Sequence, residues 1–344
     1  MWKKKTELKI FLIFTILFLV IISAVYLSSC RISTADEAAA ITGQELKKIT
    51  LVLDWVPNTN HTGIYVARDK GYYKEVGLEV AIVQPAEGGA ADLIAAGKGE
   101  FGISYQEQVT YARLANPPLP VKAIAAIIAH NTSGFASPVE KNIKTPKDFE
   151  GKKYGGWGSP VEETMIRALM EKYNADYSKV QIVNIGASDF VTSVQKDVDF
   201  SWIFYGWDGI ASEVKGFKIN FLKLQDLDKN IDFYTPVIIT SEKIINDDPA
   251  MVKKFLSATS RGYNFAISDP EESAQILIKN APELDKEIVA ASQKYLAWEY
   301  QADNDKWGIM NEELWQNFSK WMLDNNLINQ DFDYRNAYTN ELLP

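Results

Sequence analysis

Ten consecutive residues, Asp54-Trp55-Val56-Pro57-Asn58-Thr59-Asn60-His61-Thr62-Gly63, place a carboxylate, an indole, two amides and one of the chain's two histidines in one short stretch. A carboxylate near an imidazole is raw material for general acid–base chemistry. An indole flanked by amides is equally the raw material of a binding wall, because a flat ring stacks on the indole while the amides fix its polar edge. The rest of the chain gives His61 little to catalyse with. The other histidine is His130, and no H-E-x-x-H pair exists, so a histidine-based zinc site has too few ligands. Trp157-Gly158-Ser159-Pro160-Val161 is not a G-x-S-x-G nucleophile elbow. No Walker A or G-x-G-x-x-G loop follows a strand; Gly97-Lys98-Gly99-Glu100-Phe101-Gly102 precedes one, which is the wrong order. The sequence calls for no catalytic residue, no metal and no cofactor, and the expectation is a protein that is not an enzyme.

Four further segments share the make-up of the first. They are Glu87-Gly88-Gly89; Ser104-Tyr105-Gln106; Gly155-Gly156-Trp157-Gly158-Ser159-Pro160 with Glu162; and Tyr205-Gly206-Trp207. From these the candidate ligand-binding residues are Trp55, Asn58, His61, Tyr105, Gln106, Trp157, Ser159, Glu162, Tyr205 and Trp207. Each has a structural alternative. Trp55, Tyr205 and Trp207 could be core, and Asn58 and Asn60 could shape a turn or cap a helix. His61 could simply open a helix. Glu162 either complements a helix dipole from the first turn or accepts N–H bonds from an amino-substituted ring. The Gly155–Pro160 segment resists a packing explanation, since a bulky indole sits among glycines.

Stepping from residues to elements, each segment follows an apolar run. Ile49–Asp54, Leu78–Val83, Glu100–Ser104 and Val121–Ala129 read as strands, separated by helical stretches near Thr62–Gly71 and Ala90–Gly99 and by a helix ending before Asn116-Pro117-Pro118. A second series begins near Thr145. Its strands are Lys152–Gly156, Val180–Ile185 and Asp199–Phe204, and the helix beginning at Pro160 carries Val161, Met165, Ala168, Leu169 and Tyr173 on one face. Beyond Lys243 the pattern is mainly helical. The fold class expected is α/β with two lobes, each a doubly wound, mostly parallel sheet, followed by a helical C-terminal tail. In such sheets ligands sit beyond the carboxyl ends of the strands, where the five segments fall.

Composition narrows the function. Of 344 residues 47% are hydrophobic and 24% charged, a globular balance, and nine tryptophans make the chain rich in flat surfaces. Lys3–Lys5 precede an apolar run, Ile10–Leu27, broken only by Thr15 and Ser23, and Leu27-Ser28-Ser29-Cys30 resembles a bacterial lipobox. The expectation is a lipoprotein signal peptide over 1–29, lipidation at Cys30 and a tether over 30–48. An uncleaved membrane anchor is the alternative, and both leave the body on the extracytoplasmic face. Cys30 is the only cysteine, so the body has no disulfide and no cysteine nucleophile. The formal charge is −9; residues 1–29 hold four lysines and one glutamate, so the remainder is near −12. That excludes a nucleic-acid partner, which needs a basic stripe, and suits a monomeric body on a membrane lipid anchor.

Leu53–Val80, Leu93–Ser104 and Thr145–Gly155 resemble substrate-binding proteins of ABC importers with a two-lobed periplasmic-binding (class II) fold. The segments around Glu87, Tyr105, His130, Trp157, Tyr205, Tyr234 and the terminal Thr339–Pro344 narrow the likeness to the formylaminopyrimidine-binding branch, within the superfamily of thiamine-pyrimidine synthases and sulfonate-binding proteins. The resemblance covers nearly all of 49–344. It implies lobe 1 over 49–135 and 238–344 and lobe 2 over 136–237, with crossings near Asn131–Ser137 and Tyr234–Ile238. It also implies a small aminopyrimidine ligand, N-formyl-4-amino-5-aminomethyl-2-methylpyrimidine, and a transmembrane ABC permease as partner in thiamine salvage. Synthases of the superfamily use pyridoxal phosphate and iron, with a lysine and a histidine four apart after the third strand. The matching positions here are Ser104 and Gln108, and the segment matching the synthases' cysteine cluster, Ile231–Val237, holds no cysteine.

Overall fold

The computed structural model describes residues 45–84, 89–186, 188–330 and 332–344. Cys30, the leader, most of the tether and Glu87-Gly88 lie outside the described residues. Nearly all that is described belongs to one unit, Lys48–Pro344.

Its strands are β1 (Lys47–Val52), β2 (Leu78–Val83), β3 (Phe101–Ser104), β4 (Val121–Ala126), β5 (Ser133–Pro138), β6 (Lys153–Gly156), β7 (Gln181–Asn184), β8 (Phe200–Phe204), β9 (Ile219–Lys223) and β10 (Val237–Ser241). The described α-helices of five or more residues are α1 (Thr62–Asp69), α2 (Gly89–Ala95), α3 (Gln106–Leu114), α4 (Pro160–Lys172), α5 (Phe190–Lys196), α6 (Ile210–Val214), α7 (Glu242–Asp247), α8 (Pro249–Ser268), α9 (Pro270–Asn280), α10 (Lys286–Glu299) and α11 (Glu312–Asp324).

The strands form two five-stranded sheets, ordered β2-β1-β3-β10-β4 and β7-β6-β8-β5-β9. In the first, β1 and β3 are parallel and β10 runs against both β3 and β4. In the second, β6 is parallel to β7 and β8, while β5 runs against β8 and β9. The two orders are therefore equivalent: β1 matches β6, and the antiparallel strand is fourth in each. That fourth strand is the first one laid down after the chain crosses between sheets, at 127–132 and at 224–236. The expected α/β architecture is present, with one antiparallel strand in each sheet that the sequence reading did not separate from its parallel neighbours.

Alternation along the strands sends side chains to both faces. Leu51, Leu53, Ile103 and Ile238 enter one core with Phe255, Tyr263 and Trp307, while Val52, Val237 and Ile239 enter another with Val109 and Trp315. In the second sheet Phe135, Tyr154, Phe200 and Trp202 share one face, and Ala136 and Ile203 the other. Burying each such side chain contributes about 1.5–3 kcal/mol. Helix α11 straddles both sheets' cores. Trp315 packs with the first sheet, while Phe318, Trp321 and Met322 pack with the second, the Phe318 ring stacking 4.1 Å from Phe233. The C-terminal helices thus bridge the sheets rather than trailing from one of them.

The crossings are tied to each other. Asp232 accepts from the Asn131 backbone N–H (2.8 Å) and pairs with His130 Nδ1 (2.7 Å); Asn131 Nδ2 donates to the Ile231 carbonyl (3.1 Å), and Gln225 Nε2 donates to the Asn131 carbonyl (2.9 Å). Among the described residues no helix is long and apolar enough to cross a membrane.

Candidate ligand-binding site

The turn after β1 is braced from inside. Asn58 is the N-cap of a short 3-10 turn, Thr59–His61, and its Oδ1 accepts from the Asn60 N–H (2.9 Å). His61 reaches back, its Nδ1 accepting from the Asn58 N–H (3.2 Å). A backbone N–H can only donate, so the ring's proton sits on Nε2, which donates to Asp54 Oδ1 (2.7 Å). The Tyr105 hydroxyl, arriving from the end of β3, donates to Asp54 Oδ2 (2.8 Å). Burial alone would raise the Asp54 carboxyl, but His61 and Tyr105 hold it below the usual carboxylate range. From behind, Tyr263 donates to the Asn60 carbonyl (2.7 Å) and Tyr300 to the Thr59 carbonyl (2.5 Å). With its backbone fixed in this way, the turn leaves Trp55 53% exposed.

The turn after β6 is built by the same device with different residues. Ser159 is the N-cap of α4, and Glu162, three residues on, folds back. Glu162 Oε1 accepts from the Tyr154 hydroxyl (2.7 Å) and the Trp157 N–H (3.1 Å); Oε2 accepts from the N–H groups of Gly158 (2.8 Å) and Ser159 (2.7 Å). Three successive amides therefore wrap one carboxylate, an anion nest filled by the chain itself. The glycines follow from it. A Cβ on Gly156 would lie 2.3 Å from Glu162 Oε1, and Gly158 has φ +91°. Trp157 is left 43% exposed, its ring 5.5 Å from that of Trp202.

Two exposed tryptophans thus occupy equivalent places, each on the turn after the corresponding strand of its sheet, each held by a side chain reaching back to an N-cap. Exposure alone does not mark them, since Trp298 on α10 is exposed as well; their equivalent placement after matching strands does.

The remaining candidates fall elsewhere. Tyr205 and Trp207 stand in a π-helical turn, Tyr205–Gly209. The Tyr205 ring packs 4.8 Å from Phe221 and 5.4 Å from Tyr295, and its hydroxyl donates to Glu213. Trp207 packs against Tyr65, Leu277, Ile278 and Val289, docking the turn on the C-terminal helices. Ser292 of α10 secures this docking, since its hydroxyl donates to the Gly206 carbonyl and bonds Thr59 Oγ1 at 2.6 Å. Gln106 is buried; its Oε1 accepts from the Tyr234 N–H (2.9 Å) and its Nε2 donates to the Leu314 carbonyl (3.4 Å).

Four of the expected ligand contacts have partners within the fold. His61 is fully buried with both nitrogens paired, Glu162 has its four acceptor positions filled, Gln106 is bonded internally at both ends, and Trp207 is an apolar docking residue. His61, Glu162 and Gln106 have their polar atoms paired within the frame, and Trp207 is half-buried against it. The candidates facing outward or half-buried are Trp55, Asn58, Tyr105, Trp157, Ser159, Tyr205 and Trp207.

Of three carboxylates near the strand ends, Asp54 stands in the opening stretch, and Asp208 and Glu107 were not among the candidates. Asp54 anchors the first turn. Asp208, in the π-helical turn, is pushed up to about 6 by burial, and Glu107, in the first turn of α3, up to about 7 by the same cause. Their signal was position, since each follows a strand's carboxyl end by a few residues.

Two α/β lobes of matching strand order define a fold of the periplasmic-binding-protein type. The periplasmic aliphatic sulphonate binding protein SsuA of Escherichia coli has it, with a TM-score of 0.65 at 14% identity over 85% of this chain and 91% of that one. The chain belongs to the NMT1/THI5-like family, whose profile matches residues 58–273. Among relatives, it is 26% identical to the formylaminopyrimidine-binding protein of Halalkalibacterium halodurans over 88% of this chain and 91% of the relative. It is 24% identical to a 4-amino-5-hydroxymethyl-2-methylpyrimidine phosphate synthase of Legionella pneumophila, over 86% and 92%.

Proposed function

We propose that this chain is the extracytoplasmic substrate-binding protein of an ABC importer and that it takes N-formyl-4-amino-5-aminomethyl-2-methylpyrimidine, a neutral thiamine precursor, between its lobes. The observation that carries this reading is the matched pair of exposed tryptophans, Trp55 and Trp157, on equivalent braced turns. A flat ring has two faces and such a pair offers a plate for each, while Asn58, Tyr105, Ser159 and Tyr205 supply polar fixing groups.

Charge separates this reading from that of a sulfonate. None of the candidate residues is lysine or arginine, and the one anion nest in view, at residues 157–159, is already filled by Glu162. Carboxylates at the strand ends favour a ligand with N–H donors and disfavour an anion. Ser104 and Gln108 separate it from a synthase. Ser104 Oγ donates to Gln108 Oε1 (3.2 Å), so the two positions meet after β3 as the superfamily likeness expects, but neither side chain forms a Schiff base. The name of the Halalkalibacterium relative points the same way.

In this reading lobe 1 runs over 49–132 with 237–344 and lobe 2 over 133–236, shifted from the expected bounds of 135 and 238 because β5 starts at Ser133 and β10 at Val237, and α10 and α11 are shared supports. Ligand touching both lobes favours their closed arrangement, which docks on the permease. Cys30 carries the lipid, and the body works as a monomer. Titration calorimetry with formylaminopyrimidine, against an alkanesulfonate as competitor, tests the assignment. Saturable heat with the pyrimidine alone supports it, and heat with the sulfonate alone overturns it. Mass spectrometry of the membrane fraction tests the anchor: acylated Cys30 supports it, and an intact Met1 terminus does not.

A further inference from the structure

The carboxyl ends of the two sheets face the same junction. Strands β1, β3 and β4 run one way, since β10 runs against both β3 and β4, and β4 ends where the chain first crosses, at 127–132. Strand β8 runs against β5, which starts just after that crossing, so β8 ends at the junction too. Between the turn after β1 and the turn after β8 lies the buried hydroxyl of Ser292, on α10. A carbonyl only accepts, so Ser292 gives its proton to the Gly206 carbonyl, and its Oγ accepts from the Thr59 hydroxyl (2.6 Å). The relay therefore runs in one direction, from the turn that carries Trp55, through α10, to the turn that carries Tyr205 and Trp207. The fit around it is close. A Cβ on Gly206 would lie 2.8 Å from Leu296 Cδ2, the Tyr205 and Tyr295 rings are 5.4 Å apart, and Trp207 packs half-buried on the cluster of Tyr65, Leu277, Ile278 and Val289. Helix α6 contacts α10 as well.

This seam is separate from the crossings. Helix α10 is tied to the first crossing at its last residue, Glu299, whose carbonyl accepts from the Ala129 N–H (3.0 Å). Ser292 and Val289 stand about two and three turns earlier, about 10 and 15 Å along the helix axis. We propose that the seam is a latch between the lobes and that Ser292 is its positioning residue. This rests on the two-lobed binding-protein reading and adds to it what sets the balance between open and closed lobes. A motion that parts the lobes pulls the Gly206 carbonyl off Ser292 and bares the packed face of Trp207, so the hydrogen bond and the apolar contact both favour closure. Every group in the latch comes from the chain, and its bias is the same whichever ligand arrives. Apparent affinity then scales with the closed fraction, and a weakened latch lowers it by one factor for every ligand. A residue that touches the ligand changes the ratio between ligands instead.

Small-angle X-ray scattering of the mature chain tests the latch, together with calorimetry of formylaminopyrimidine and displacement titration with 4-amino-5-hydroxymethyl-2-methylpyrimidine. Ser292→Ala removes the bond to Gly206. Gly206→Val keeps the carbonyl but drives a side chain into Leu296 from the other lobe. Each empty variant is expected to have a larger radius of gyration than empty wild type, and saturating formylaminopyrimidine should return it to the ligand-bound wild-type value. Affinity should fall on the order of threefold to tenfold, by the same factor for both pyrimidines. An empty Ser292→Ala chain with the wild-type radius overturns the latch, even where affinity falls, because Ser292 then acts only through Thr59 on the Trp55 turn. A loss confined to one pyrimidine also overturns it. Should Ser292→Ala fail to fold, Gly206→Val decides on the same readouts. If wild type binds neither pyrimidine, the ligand assignment has failed, and the radii of the empty variants still decide the latch.

Discussion

Replacing Glu162 by glutamine separates a frame residue from a ligand contact. The carboxylate accepts four hydrogen bonds, two on each oxygen, from Tyr154 and the amides of residues 157–159. An amide keeps one acceptor oxygen and turns the other into a donor. Turned toward Gly158 and Ser159, its NH2 faces two N–H groups that cannot rotate away. Turned toward Tyr154, it faces a hydroxyl that can reverse and accept, so this orientation wins and leaves the Trp157 N–H without its partner. Losing that bond costs about 1–3 kcal/mol in a buried setting, toward the lower end here because the Trp157 turn is partly open to water. The two bonds that remain lose the assistance of a full charge, about 0.5–1 kcal/mol each. The sum is about 2–4 kcal/mol. Urea denaturation followed by tryptophan fluorescence should show the transition of the second sheet move by that amount, with formylaminopyrimidine affinity falling because the Trp157 turn is no longer held. Stability within about 0.5 kcal/mol of wild type, with affinity lost, would refute the reasoning and return Glu162 to the ligand.

Trp157→Ala and Trp55→Ala should each weaken formylaminopyrimidine at least tenfold while moving the melting temperature by no more than about 2 °C, because both side chains are about half exposed; calorimetry with thermal unfolding checks both halves. His61→Ala should destabilise by about 3 kcal/mol, since it opens a cavity and unpairs both Asp54 and the Asn58 N–H, and an unchanged denaturation midpoint would contradict its bracing role. His130 sits between Asp232 (2.7 Å) and Asp303 (2.9 Å), and the bond to Asp232, opposed by burial and helped by Asp303, lifts the imidazole to about 9. A raised folded-state value means that the stabilisation is complete below 6.5, the ordinary value, and is lost as pH climbs through about 9. The melting-temperature gap between wild type and His130→Gln should therefore be widest near pH 6 and close by about pH 10, and a gap independent of pH would remove the ion pair from the hinge.

Much of the frame was readable because it rests on local rules. Apolar runs separated by glycine and asparagine turns gave the strand–helix alternation, and an indole among glycines gave Trp157 its place outside the core. What was misjudged depends on where a side chain's second partner comes from. Glu162 looked free to meet a ligand, yet Ser159-Pro160-Val161-Glu162 is an S-x-x-E capping pattern whose glutamate folds back on its own helix start. His61 follows the same geometry from Asn58, and its other nitrogen finds Asp54 only because the turn curls over. Trp207 and Gln106 were assigned by position after a strand, but their contacts come from α9, α10 and the segments around Tyr234 and Leu314, more than 60 residues away in sequence.

Calorimetric titration of the wild-type mature chain with N-formyl-4-amino-5-aminomethyl-2-methylpyrimidine puts the central claim to its most direct test. One saturable site per chain, unaffected by a large excess of alkanesulfonate, is the expected result. No heat and no thermal shift with this pyrimidine at high concentration, or its displacement by the sulfonate, would contradict the claim.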